Sequence, residues 1–204
     1  ISPPPPPADP PPTPPPPPAP PAPPSPPMPP PMPPAMPSSA TYQFKFTKLN
    51  TGPANYDGIQ LGEIVLLDMN GDSIPISSVE NPGGQTNWGN TPDGPNPNQE
   101  VSNLVDGDPN TKWFDAAFDK ENPQSIIEIT LSEPTLVNSY ELYTARDADG
   151  GGPTKRDPVS WEFSMVFDDG TTRALTTHND VTPPEARGTK YDMTIYAVAP
   201  PPPP

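Results

Sequence analysis

The chain has 204 residues, a net charge of −15 and no cysteine. Such an acidic chain is repelled by phosphate backbones and anionic lipid heads, which disfavours binding to nucleic acids and membrane surfaces. Because the chain has no cysteine, no disulfide can indicate that it comes from an oxidising compartment. The chain also lacks a run of about 18 apolar residues, the length needed to span a bilayer. The negative charge is compatible with cations and neutral polymers as partners. The first residues, Ile1 and Ser2, lead directly into proline without an initiator Met, which favours a secreted product whose signal peptide has been removed, with a fragment as the alternative.

Residues 1–39 form a proline-rich arm, in which residues 1–37 hold 25 of the 43 prolines and a single charge, Asp9. Each proline fixes φ near −65° and excludes the helical region for the residue before it, so the arm is predicted to be a stiff polyproline II rod. At about 3.1 Å per residue, residues 3–37 would reach roughly 110 Å, against about 40 Å for a domain of this size. The arm is either a spacer or a rod that docks along neighbouring copies, and its length favours docking.

Ser, Thr and Ala interrupt the proline blocks of the arm, as at Ala8, Thr13 and Ser25. This composition resembles the hydroxyproline-rich glycoproteins of plant and green-algal walls, of the extensin and pherophorin type. The resemblance implies hydroxylated prolines that carry O-linked arabinose or galactose. The implied positions are Pro3, Pro4, Pro5, Pro6, Pro14, Pro15, Pro16, Pro17 and Ser25. No Asn-x-Ser/Thr sequon occurs in the chain, so glycans are expected on the arm.

Residues 40–199 have the composition of one globular domain, and a short proline segment, 200–204, follows them. Tyr42, Phe44 and Phe46 alternate with polar residues, which is the pattern of a half-buried strand. Similar runs occur at Glu63–Met69, Ser125–Leu131, Ser139–Thr144, Trp161–Phe167, Thr171–Thr176 and Tyr191–Val198. Turn-forming residues separate these runs, and no segment keeps a 3.6-residue period. The sequence therefore predicts an all-β sandwich.

Three parts of this domain, 42–50 with 58–68, 100–115 and 143–163, resemble the galactose-binding-like jelly roll of discoidin, or factor 5/8 type C, domains. The resemblance implies a jelly-roll β-sandwich, and it spans most of residues 42–198. This fold hosts many sugar, lipid and protein binders, so it does not identify a ligand. The strand that contains Gly62, Glu63 and Ile64 often closes such domains but comes early here, so the strand order is expected to be permuted.

The segment 103–111 packs two carboxylates, two amides and a hydroxyl around a Gly turn. Such a flexible set of oxygen donors suits Ca²⁺. In the resembled family this loop holds a structural calcium ion, together with a Glu from the terminal strand. By position, the implied ligands are Asn103, Asp106, Asp108, Thr111 and Glu63. The alternative is an Asp-Gly turn that needs no metal.

Two aromatic residues, Trp88 and Tyr56, are expected to be exposed and to contact proline rings or sugar faces. For Trp88, which lies in a long polar loop, the alternative is a side chain folded back on its own domain. Trp113 and Trp161 are expected in the core.

Arg146, Arg156 and His178 could hydrogen-bond sugar hydroxyls at one end of the sandwich, or could simply balance nearby carboxylates. The chain shows no nucleophile motif, phosphate loop or zinc motif, so no enzyme is expected.

These features predict a structural subunit of an extracellular glycoprotein filament, of algal mastigoneme or wall-matrix type, that polymerises with itself head to tail. The alternative is a monomeric lectin-like module on a rigid glycosylated stalk, which binds wall or matrix polysaccharide.

Overall fold

The computed structural model describes residues 1–2, 39–86, 97–108, 110–146, 155–192 and 195–196. The chain divides into two units, Ile1–Ala35 and Met36–Pro204, and all features below belong to the second. The predicted rod with its glycosylation positions Pro3 to Ser25, the loop residue Trp88 and the terminal segment 200–204 lie outside the described residues.

The described part of the second unit is built from β-strands. The strands are β1 (Ser39–Leu49), β2 (Asp57–Leu61), β3 (Glu63–Leu67), β4 (Ile76–Glu80), β5 (Trp113–Asp119), β6 (Ser125–Thr135), β7 (Ser139–Tyr143), β8 (Pro158–Val166), β9 (Thr172–His178) and β10 (Ile195–Tyr196). Three 3₁₀ turns lie between them, at Pro53–Asn55, Pro97–Gln99 and Val101–Leu104. No helix in the described residues is long and apolar enough to cross a membrane.

The strands form three antiparallel sheets. The largest has five strands in the order β4-β6-β1-β8-β9, the second runs β10-β7-β3, and β2 pairs with β5. The all-β prediction is confirmed, and the antiparallel sheets are consistent with a β-sandwich.

Aromatic residues fill the space between the five-stranded and three-stranded sheets. The alternation in β1 buries Tyr42, Phe44 and Phe46. The ring of Phe44 meets that of Tyr140 on β7 edge to face at 4.9 Å, and the indole N–H of Trp161 on β8 donates to Tyr140 Oη at 2.7 Å. Edge-to-face pairs of this kind add about 0.5–1.5 kcal/mol each beyond area burial, so these contacts fix one sheet against the other.

The structure extends or shortens several predicted strands. β6 continues four residues past Leu131, and β9 ends at His178 rather than Thr176. Of the predicted strand Tyr191–Val198, β10 covers Ile195–Tyr196, and residues 193–194 and 197–198 are not described. β1 begins at Ser39, the last residue assigned to the arm, where Ser39 pairs with Thr135.

Candidate functional site

The loop 103–111 lies against the start of β3. Gly107 N–H donates to Glu63 Oε2 at 3.2 Å, so Glu63 contacts the loop at its turn. Gly107 has φ +72, a left-handed conformation that Gly adopts without steric cost.

Carboxylate, hydroxyl and amide groups close the loop on itself. Asp106 Oδ1 accepts from Asp108 N–H at 2.8 Å, and Asp106 Oδ2 accepts from the Thr111 hydroxyl at 2.8 Å. Asp108 Oδ1 accepts from Asn110 N–H at 2.9 Å. Four of the five implied ligands, Glu63, Asp106, Asp108 and Thr111, therefore belong to one hydrogen-bonded group.

Negative charge is concentrated at this group. Burial, followed by the charge of Asp106, raises the pKa of Glu63 to about 7, against the opposing effect of the Gly107 N–H. The backbone and side chain of Asn110, with a smaller effect of Arg146, lower the pKa of Asp108. A cation beside Glu63 would relieve the repulsion between these carboxylates.

Asn103 has a different position from the other four residues. It is 7% exposed, and its side-chain amide donates to the Lys112 carbonyl at 2.9 Å, a contact that anchors the base of the loop. Within the described residues, no group of three or more His, Cys, Asp or Glu side chains is arranged to hold a metal. Calcium also takes hydroxyl and backbone carbonyl oxygens, and the all-oxygen donors around Glu63 and Asp106 fit that chemistry.

A cleft of about 270 Å³ adjoins the loop. Its lining residues are Gly62, Glu63, Val65, Gly107, Tyr143, Thr144 and Gly188. Tyr143 on β7 pairs with Glu63 on β3, and its hydroxyl donates to Glu141 Oε2 at 2.7 Å. Lys190 Nζ donates to the other Glu141 oxygen at 2.7 Å. The cleft thus combines an anchored aromatic ring with backbone walls and one carboxylate.

A second cleft, of about 550 Å³, lies where β1 ends and β8 begins. Its lining residues are Lys48, Leu49, Asn50, Thr51, Gly52, Pro53, Val159, Asp180, Val181, Thr182 and Pro183. Lys48 forms an ion pair with Asp180, and Asp180 has φ +54. An Asp tolerates this left-handed conformation better than most residues, and here it positions the carboxylate toward Lys48.

Arg146, Arg156 and His178 contact different partners among the described residues. Arg146 Nη1 donates to Asn110 Oδ1 at 2.5 Å. Arg156 Nε lies 3.3 Å from Asp57 Oδ1, and its guanidinium covers the Phe114 ring at 5.1 Å. His178 is half-buried at the end of β9, with its ring 5.1 Å from that of Trp161. These separate partners do not test whether the three residues bind sugar, so that role stays a prediction.

Tyr56 is also placed differently from its prediction. It is 8% exposed, and its ring contacts Phe118 at 5.1 Å. The expectation of an exposed Tyr56 is wrong, because the 3₁₀ turn Pro53–Asn55 directs the ring back into the core. Trp113 and Trp161, at 0% and 1% exposed, are confirmed as core residues.

The sequence interpretation missed two features. The first is a buried ion pair in which both Arg187 amino groups donate to the Asp157 carboxylate, at 2.7 and 2.8 Å; sequence spacing gives no signal for a pair 30 residues apart. The second is Tyr143. The sequence does indicate its position, because side chains alternate between the two faces of a strand. If Tyr140 and Leu142 face the core, Glu141 and Tyr143 lie on the outer face of β7.

Comparisons with protein-family models, with curated proteins and with solved structures found no match to this chain.

Proposed function

We propose that this chain is a structural subunit of an extracellular glycoprotein filament, in which the proline-rich arm of one copy docks on the β-domain of another. One observation carries the proposal: a 37-residue segment with 25 prolines and one charge is joined to a domain that holds the rest of the charge. A rod of roughly 110 Å outreaches a domain of about 40 Å. A spacer has no need of that length, whereas a rod that joins neighbouring copies does.

The β-domain suits the role of the part that grips the rod. Its core places Phe44, Tyr140 and Trp161 in direct contact between two sheets, so the surface of the domain is held rigidly. A rigid receptor and a rod that has already lost its backbone freedom associate with little further loss of entropy. A head-to-tail contact of this kind does not close on itself and produces filaments.

The proposal includes a structural calcium ion at the loop 103–111, within a permuted galactose-binding-like jelly roll. Glu63, Asp106, Asp108 and Thr111 would hold it, and its role would be to fix the loop against β3. The hydrogen bond from Gly107 to Glu63 supports this assignment, because it links a half-buried carboxylate to the loop. The alternative is the same turn with Arg146 as the balancing cation.

The proposal also includes secretion of the protein and a non-catalytic role. Its hydroxyprolines would carry O-linked arabinose or galactose. The acidic charge and the interrupted proline blocks support it. A glycosylated rod would expose sugar along the filament and resist proteolysis.

A lectin-like module that binds wall or matrix polysaccharide is the second candidate. The cleft of about 550 Å³ favours it, because Lys48, Asp180 and Thr182 supply charged and hydroxyl groups that can bond sugar hydroxyls. In this alternative the arm is a stalk, and the protein stays monomeric.

Electron microscopy of the purified full chain in negative stain, with light scattering on the same sample, separates the two candidates. Filaments with a constant axial repeat are expected. Dispersed particles with the mass of one 21.7 kDa chain would refute the filament and favour the lectin.

A further inference from the structure

Tyr143 offers an aromatic surface at the domain exterior. Among the Phe, Tyr and Trp side chains whose burial is described, all but Tyr143 and Phe167 are buried. Phe167 packs against the core cluster, whereas Tyr143 lines the cleft of about 270 Å³. Proline-rich segments dock in aromatic-lined grooves because their rings pack flat against such surfaces.

The Tyr143 ring is already fixed. Its hydroxyl is bonded to Glu141, and Lys190 holds the other oxygen of that carboxylate. Val65, which pairs with Glu141 across the sheet, lies beside it on the outer face of β3. An immobilised side chain loses little further rotamer entropy when a partner binds.

Three glycines form the remaining walls. Gly62, Gly107 and Gly188 leave backbone rather than side chains along the cleft, and a Cβ added at Gly107 would meet nothing within 4 Å. The volume lies just below the roughly 300–1,000 Å³ of typical small-molecule pockets. A cleft of this size receives the ring edges of a passing rod better than a folded ligand.

Charge decides between occupants. Glu63 lines the cleft, and Glu141 beside it is paired with Lys190, so a partner with little charge suits the cleft. The arm carries a single charge within residues 1–37, so it meets almost no repulsion.

We infer that this cleft receives the proline-rich arm of a second copy of the chain, with Tyr143 as the platform on which proline rings pack. The inference rests on the proposed filament function and names its contact surface.

Peptide binding tests the cleft directly. A fluorescent peptide of residues 3–37 is titrated with the full chain, and its anisotropy is followed. Tyr143→Leu should weaken binding by roughly tenfold or more, while Tyr143→Phe, which keeps the ring but loses its bond to Glu141, should weaken binding much less. Phe167→Leu is the matched control, since it removes an aromatic of similar exposure outside the cleft, and it should leave binding unchanged. Equal affinity in wild type and Tyr143→Leu would overturn the inference.

Cross-linking gives a second measurement that does not depend on the stability of a Leu variant. A benzophenone amino acid is placed at position 143 of the full chain, and light and heavy isotopic copies are mixed before illumination. Cross-links from position 143 of one copy to residues 3–37 of another are expected. Cross-links confined to one chain, or directed only to other β-domains, would contradict the inference.

The outcomes separate this inference from the proposed function. Filaments whose cross-links from position 143 miss the arm would refute the cleft and leave the filament standing. Peptide binding that depends on Tyr143 in a protein that stays monomeric would support the cleft and refute the filament. An arabinose or galactose oligosaccharide that binds through Tyr143, while the peptide does not bind, would overturn the inference in favour of a glycan.

Discussion

Arg187 and Asp157 form an ion pair in the domain interior, where their side chains are 8% and 0% exposed. The pair joins the segment that follows β9 to the start of β8, and Asp157 also accepts a hydrogen bond through its carbonyl from Asn50 N–H. Arg187 Nε is buried and has no hydrogen-bond partner among the described residues. Two hydrogen bonds join the guanidinium to the carboxylate.

Removing one partner of this pair should destabilise the domain strongly. Arg187→Met leaves the Asp157 carboxylate buried without its cation, and such losses cost about 3–5 kcal/mol. Urea unfolding of the variant and of wild type measures the difference. Lys48→Met is the matched control: it breaks the exposed pair with Asp180 and should cost about 1 kcal/mol or less. Similar losses in both variants would contradict the assigned role.

His178, the single histidine of the chain, should make stability depend on pH. Its ring lies against Trp161, and Nε2 is 3.2 Å from the Thr176 hydroxyl. Burial lowers the pKa of His178, so the folded domain favours the neutral ring. The unfolded chain then binds a proton that the folded chain resists, and the contribution of His178 to stability is lost as the pH falls below about 6.5.

Measuring the free energy of unfolding at pH 8 and at pH 5 checks the direction of this pH dependence. His178→Gln should lose less stability between the two values than wild type does. The histidine ring proton also titrates as one resolved NMR signal, and a folded-state pKa at or above about 6.5 would contradict the expectation.

At the scale of whole elements, sequence alternation located the strands that have one polar face. The alternation of Tyr42, Phe44 and Phe46 identified β1 because each is buried and each neighbour is not. The sequence pattern does not predict β5, because Asp115 interrupts the apolar run of this strand. That carboxylate is 1% exposed, accepts from Gln85 N–H and Ala117 N–H, and bonds to the Ser125 hydroxyl. These tertiary partners turn a polar residue into a core residue, and no local pattern reports them.

β4 was missed for the opposite reason. It is an edge strand of the five-stranded sheet, and none of its five residues is fully buried. A strand without a buried face has no period-two signal. The polar turn at 103–111 could be predicted because its hydrogen-bonding groups are close together in the sequence, and calcium binding there stays a prediction. The error at Tyr56 arose because a turn in the sequence does not reveal which way the next side chain points.

The loop 103–111 should bind calcium through Glu63. With Ca²⁺ at a hundred times its dissociation constant, stability should rise by about 2.7 kcal/mol, and the melting temperature should rise with it. Glu63→Gln removes a charged oxygen ligand, so it should abolish most of this rise. Calorimetry with added Ca²⁺ or excess chelator measures the effect.

Asp68→Asn provides the control for that experiment. Asp68 closes a similar turn by accepting from Asn70 N–H and Asp72 N–H, and it should not alter the calcium response. A wild-type melting temperature that is the same in Ca²⁺ and in chelator would refute the site.

At the scale of the whole molecule, the proposed filament would depend on the stiffness of the arm as well as on its contacts. A Gly-Ser arm of the same 35 residues would have a root-mean-square length of roughly 30–35 Å, against roughly 110 Å for a polyproline rod. A flexible arm could still reach a neighbouring copy, but it would lose much more conformational entropy when it becomes ordered along the surface of that copy. Deletion variants should end at Ser38, because β1 begins at Ser39.

Replacing residues 3–37 with Gly-Ser repeats should therefore abolish filaments as completely as deleting residues 1–38. Electron microscopy in negative stain compares both variants with wild type, and the melting temperature, expected to be unchanged, shows that the β-domain is intact. A lectin on a stalk behaves differently, because its affinity for sugar would survive both changes. If the Gly-Ser variant formed filaments with the wild-type axial repeat, the arm would act as a tether, and the rod would have no part in setting the repeat.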